Sequence, residues 1–164
     1  MVATKSTGDY RFGDLLALAR QSWITQMADG LAAKGYPDYR RSDAASVRRL
    51  QRGPLSIGGL GAALGVTRQA ARKVADGLVL RGLATMARDG ADTRQVNVTL
   101  TPAGRRYAEA VTKVIERLNR DLVRRVDPAD LAGADAVLRA VLTDERAQRV
   151  AELLGRPPAP RARG

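Results

Sequence analysis

Between Leu60 and Leu78 the chain reads LGAALGVTRQAARKVADGL, and few backbones accommodate that order of small, apolar and turn-forming residues. A helix-turn-helix needs a small residue where its two helices cross, a glycine in the tight turn, and apolar residues where each helix faces a core. Leu60, Gly61, Leu64, Gly65, Val66, Ala71 and Val74 fill those positions in order. The pattern predicts helices over 57–64 and 67–81, with the Thr67 hydroxyl as N-cap in front of Arg68 and Gln69. On the second helix Ala71, Val74, Ala75 and Leu78 form the inward stripe. Arg68, Gln69, Arg72, Lys73 and Asp76 are left together on the outer face.

Such a face is either a solvated basic surface or a contact surface for a polyanion. The distribution of charge separates the two readings. The chain carries a net charge of +11, yet residues 1–39 hold four Lys/Arg against four Asp/Glu, and residues 107–164 hold eleven against nine. Residues 40–106 hold thirteen against four, so almost all the excess lies around this helix pair, as a nucleic-acid footprint requires. Within the face, Asp76 repels phosphate and is expected to pair with Arg72 or Lys73 at helical spacing. The N-terminal half is then the part suited to a major groove, where arginine matches guanine edges and glutamine matches adenine. Gly59-Leu60-Gly61 starts like a dinucleotide fingerprint, but the third glycine falls one position late at Gly65, and that reading is set aside. Gly58 and Gly59 weaken the first helix and have no functional account from the sequence.

The flanking elements extend the pattern. A helix with a wide apolar stripe spans residues 10–34 and ends at Gly35-Tyr36-Pro37; a short helix over 43–52, capped by Ser42, ends at Gly53-Pro54. After Gly82 the period changes from helical to alternating. Residues 83–88 and 95–100 form a hairpin in which Val96, Val98 and Leu100 share the buried face. Its tip is the turn RDGADTR from Arg88 to Arg94. An arginine at such a tip suits the negative potential of a minor groove, and Asp92 is placed either to hold the Arg94 guanidinium or to make an ordinary turn ion pair with it. Thr101-Pro102 starts a helix reaching about Val126, and Asp127-Pro128 starts another. The fold expected is mainly α with a small β-hairpin wing.

Composition removes several function classes. The 164 residues hold no cysteine and no histidine, which excludes disulfides, thiolate chemistry and the commonest general base and metal ligand. The carboxylates are scattered without metal-ligand spacing, so no enzyme, cofactor or metal is expected. No run approaches the 18 or so apolar residues of a membrane span, and the N-terminus lacks a signal peptide's apolar segment, so a cytoplasmic location is expected. Residues 1–9 and the Pro-rich basic stretch 155–164 are expected to be disordered, with one domain over 10–154 between them.

From Pro54 to Arg105 the text PLSIGGLGAALGVTRQAARKVADGLVLRGLATMARDGADTRQVNVTLTPAGR resembles the MarR family of bacterial transcription regulators. The likeness rests on the helix-turn-helix, the D-x-R of the wing (Asp92, Thr93, Arg94) and the closing L-T-x-x-G-R. The resemblance implies a winged helix-turn-helix lobe over 40–101, with 10–39 and 102–154 forming the dimerisation helices. It implies a homodimer on double-stranded DNA, most simply a repressor on a pseudo-palindromic operator. Thr67, Arg68, Gln69, Arg72, Lys73, Arg88, Asp92 and Arg94 are the candidate DNA-binding residues. It also implies a small aromatic ligand. Trp23, Met27, Tyr36 and Tyr39 are the candidates to line that pocket, and the same residues suit an aromatic cluster in a dimer core. The competing functions are a non-specific architectural DNA binder and a winged-helix module for protein contacts. Arg94→Ala is expected to weaken DNA binding with little change in melting temperature; unchanged affinity at two salt concentrations would remove the wing from the mechanism.

Overall fold

The structure, a computed structural model, describes residues 11–88 and 95–142. Among them the order is α1 (Phe12–Ala32), α2 (Arg41–Leu50), β1 (Leu55–Ser56), α3 (Ile57–Leu64), α4 (Arg68–Leu80), β2 (Ala84–Arg88), β3 (Val96–Leu100), α5 (Pro102–Val123) and α6 (Pro128–Val141). The chain divides within α5 into two compact units, Met1–Glu116 and Arg117–Gly164.

The first unit is organised by the crossing of α3 and α4. Gly65 caps α3 in the left-handed region, at φ 68° and ψ 36°, where a side chain would be strained. The Val66 N–H then donates back to the Gly61 carbonyl at 3.0 Å. A Cβ added at Gly61 would lie 3.1 Å from the Val66 carbonyl oxygen and 3.4 Å from the Ala71 Cβ, so the small residue is what lets the helices approach. Ala71, Ala75 and Leu78 are buried as the stripe requires. Val66 departs from expectation: it is 43% exposed, its backbone closing the turn while its side chain stays in solvent. Around this pair, α1, α2, α3, α4, β3 and α5 all contribute fully buried side chains, among them Leu31, Val47, Leu60, Leu78, Val98 and Val111.

The sheet is three-stranded and antiparallel, in the order β1-β3-β2. The hairpin register pairs Ala84 with Leu100 and Arg88 with Val96. Strand β1 pairs Leu55 with Val98 and had no signature of its own, because two residues are too few to show alternation. Its Ser56 also caps α3, accepting from the Gly59 N–H at 3.0 Å. That cap sits 3.2 Å from where a Gly59 Cβ would be, which gives Gly59 a packing reason to lack one; Gly58 faces open space apart from the same hydroxyl. A second correction concerns α2. It starts at Arg41 with no side-chain cap, and Ser42 lies inside it, its carbonyl accepting from the Ser46 hydroxyl at 2.7 Å.

The closing motif joins the wing to α5. The Thr101 N–H donates to the Leu83 carbonyl at 3.1 Å, while its hydroxyl donates to the Gly82 carbonyl and accepts from the Gly104 N–H at 3.0 Å. Arg105 adds a bond from Nη1 to the Leu100 carbonyl at 2.9 Å. Gly104 is buried against the Leu83 carbonyl, and a Cβ there would overlap that oxygen outright.

In the second unit, Asp127 caps α6 by accepting from the Ala129 N–H at 2.8 Å, with Pro128 at the first helical position. Helix α6 buries none of its residues; Val137, Leu138 and Val141 are exposed. The glycines of the two units should therefore respond oppositely. Gly104→Ala is expected to cost about 1–3 kcal/mol or more by overpacking against backbone. Gly133→Ala, mid-helix in α6 with nothing within 4 Å of its added methyl, should gain up to about 1 kcal/mol. Urea unfolding of both variants checks the pair.

Candidate nucleic-acid interface

Helix α4 presents the candidate contact surface. The Thr67 hydroxyl accepts from the Ala70 N–H at 3.2 Å, which starts the helix at Arg68. One turn of register then separates the buried Ala71, Ala75 and Leu78 from the exposed Arg68, Gln69, Arg72, Lys73 and Asp76. Among these, Arg72 donates from Nε to Asp76 Oδ1 at 2.9 Å, with both side chains about half exposed. Arg88 lies exposed at the end of β2, opposite Val96 and next to the wing tip. Asp92 and Arg94 lie outside the described residues.

Two further arginines brace this surface from behind. Arg49 on α2 donates from Nε to the Ala63 carbonyl at 2.7 Å and from Nη1 to the Ala45 carbonyl at 2.8 Å, tying α2 to the last turn of α3. Burial and the neighbouring charges of Arg48 and Arg52 lower its pKa from the usual arginine value. Arg81, the C-cap of α4, reaches Asp43 on α2 at 2.7 Å. Asp43 is 3% exposed, and the guanidinium folds over Gly77, whose missing side chain leaves it room at 3.1 Å. The Arg81 Nε is buried without a partner. Sequence reasoning missed this pair, although Asp43 stands in the apolar register of Val47 and Leu50, where a lone carboxylate demands a partner.

The structure distributes the four pocket candidates between two cavities. Trp23, Met27 and Tyr39 line one of about 390 Å³ with Arg20, Arg41 and Arg48. Tyr36 instead lines one of about 290 Å³ with Asp38, Asp43, Arg81 and Tyr107. Its ring lies 5.1 Å from that of Tyr107 at 58°, a tilted aromatic contact. Burial first, and then the negative charge of Asp43, push the Tyr107 phenol up to about 12. Tyr39 is raised in the same direction by burial, against Arg41. Among the described residues no cluster of three or more His, Cys, Asp or Glu is placed to hold a metal, and no helix is long and apolar enough to cross a membrane.

No family model matches the chain. Uncharacterized proteins of Mycobacterium tuberculosis and Mycobacterium bovis are each 36% identical over 86 residues, covering 52% of this chain and 60% of theirs. The chain thus spans less than two thirds of the length of these curated relatives. Solved structures match over more of it. A probable transcriptional regulator from Pseudomonas aeruginosa is 24% identical, covering 82% of this chain and 98% of its own, with a TM-score of 0.67. A mutant of Escherichia coli MarR complexed with operator DNA is 20% identical over 80% and 93%, with a TM-score of 0.68. BpsR of Bordetella bronchiseptica, whose DNA binding is regulated by 6-hydroxynicotinic acid, is 24% identical over 79% and 91%, with a TM-score of 0.65. The chain has the MarR-like winged-helix fold.

The raised Tyr107 pKa has a consequence in alkali. Below about pH 10 the phenol is protonated in both folded and unfolded chains, and its burial is fully stabilising. Between 10 and 12 the unfolded chain releases the proton first, so stability should fall by up to about 1.4 kcal/mol per pH unit. Tyr107→Phe should flatten that decline in urea unfolding measured from pH 9 to 12.

Proposed function

We propose that the protein is a sequence-specific transcription regulator that binds double-stranded DNA through α4. The observation that carries this reading is a helix packed on its alanine side through a close crossing, with Arg68, Gln69, Arg72 and Lys73 together on its exposed side. The first two turns carry donors and an amide. The only carboxylate follows at Asp76, so the N-terminal half is the part that enters the major groove. Thr67 is placed to donate to a phosphate at the helix start, and Arg88 with Asp92 and Arg94 forms the wing contact.

The regulator acts as a homodimer. Leu15 and Leu18 on α1 are 62% and 68% exposed, and α6 leaves Val137, Leu138 and Val141 uncovered; a second copy buries these residues. Two-fold symmetry then calls for a pseudo-palindromic operator with half-sites about one DNA turn apart. Repression follows if such an operator overlaps a promoter. A small aromatic ligand, preferably anionic, fits the cavity of Trp23, Met27 and Tyr39, where Arg20, Arg41 and Arg48 supply positive charge beside an aromatic wall. The regulation of BpsR by an aromatic acid supports that choice of ligand class.

Selection of bound duplexes from genomic fragments tests the reading, with aromatic acids added in a parallel arm. Discrete palindromic footprints are expected; diffuse coating would indicate an architectural protein, and no affinity at low salt would indicate a protein-contact module. Arg72→Ala should relax discrimination at one base position by about 1–3 kcal/mol. A uniform loss across sequences with a shallower salt slope would make Arg72 a phosphate clamp instead.

A further inference from the structure

Asp76 is out of place on a surface that faces phosphate. A carboxylate there weakens attraction to any duplex, and an exposed pair one helical turn apart adds little to stability. Its effect is to be sought in what it does to Arg72. The guanidinium is planar, with five N–H donors in a rigid fork. Asp76 Oδ1 takes the Nε–H at 2.9 Å, which fixes the plane of the group and leaves the two terminal amino groups free. The end-on edge of a guanidinium, formed by its two terminal amino groups, does not include the Nε–H that Asp76 takes, and that edge matches the O6 and N7 acceptors of guanine. Among the described residues no ion pair or hydrogen bond holds Arg68, Gln69 or Lys73, so Arg72 alone on this face is pre-oriented.

We propose that Asp76 is a positioning residue for specificity: it holds Arg72 end-on to a guanine edge while its charge disfavours non-specific binding. The inference rests on the DNA-binding reading of α4. It assigns the carboxylate two effects of opposite sign, strengthening the cognate complex and weakening all others. A merely structural i,i+4 pair produces neither.

The test measures affinities of wild type, Asp76→Ala, Asp76→Glu, Arg72→Ala and the Asp76/Arg72 double alanine variant. The probes are a duplex selected by the wild type from a random-sequence pool and a scrambled duplex of the same composition. Asp76→Ala is expected to bind the scrambled duplex more tightly and the selected one more weakly, reducing their ratio about tenfold. The double variant should match Arg72→Ala in discrimination, and Asp76→Glu should recover most of the ratio. Thermal unfolding of Asp76→Ala should be nearly unchanged. A wild-type ratio retained by Asp76→Ala, or a loss that adds independently to that of Arg72→Ala, overturns the inference alone. A wild type that binds no duplex at low salt overturns the DNA-binding reading and this inference with it.

Discussion

The close crossing of α3 over α4 is the constraint on which the first unit depends. A Cβ on Gly61 would press on the Val66 carbonyl oxygen at 3.1 Å and touch the Ala71 Cβ at 3.4 Å, and the left-handed Gly65 returns the chain so that Val66 bonds back to Gly61. At the crossing the inner side of α4 is alanine, so the helix approaches closely there, and Leu78 adds bulk to the core further along. That leaves long polar side chains only on the outer side, where Arg68, Gln69, Arg72 and Lys73 stand. One packing decision therefore produces both a rigid core contact and a basic surface.

The other end of α4 is secured by charge. Asp43 and Arg81 form a largely buried ion pair beside Tyr36 and Tyr107, joining α2, α4 and α5 at one point. Such a pair is weak evidence for stability, since desolvation offsets most of its attraction. What it contributes is direction: Arg81, at the C-cap, ties the end of α4 to Asp43 on α2. The Thr101 and Gly104 contacts do the same for the wing, binding the strand entry at Gly82 and Leu83 to the first turn of α5. Helix α4 and the hairpin are thus anchored, to α2 and to the start of α5 respectively, by hydrogen-bonded contacts.

Much of this was legible in the chain itself, for a common reason. The helix pair, the N-caps at Thr67 and Asp127 and the alternation of Val96, Val98 and Leu100 are local patterns, written within one or two turns of the backbone. Local patterns can be read because helical and strand periods are fixed by covalent geometry. Strand β1 escaped notice because its existence depends on a partner more than forty residues away. The four pocket candidates of residues 23–39 were grouped by proximity in sequence, yet Tyr36 turned to Tyr107 and away from the cavity of Trp23, Met27 and Tyr39.

The amino-acid order alone determined the helix-turn-helix, its hairpin, and which side chains of α4 lie outward, because spacing and turn chemistry leave one economical way to bury the apolar stripe. Tertiary structure decided what those residues do to one another: Asp43 to Arg81, Arg49 to Ala63, Thr101 to Gly82, Gly104 against Leu83. These contacts join elements whose separation along the chain carries no periodic signal. Only the fold brings their charges and carbonyls within bonding distance, and only there does burial make each partner necessary.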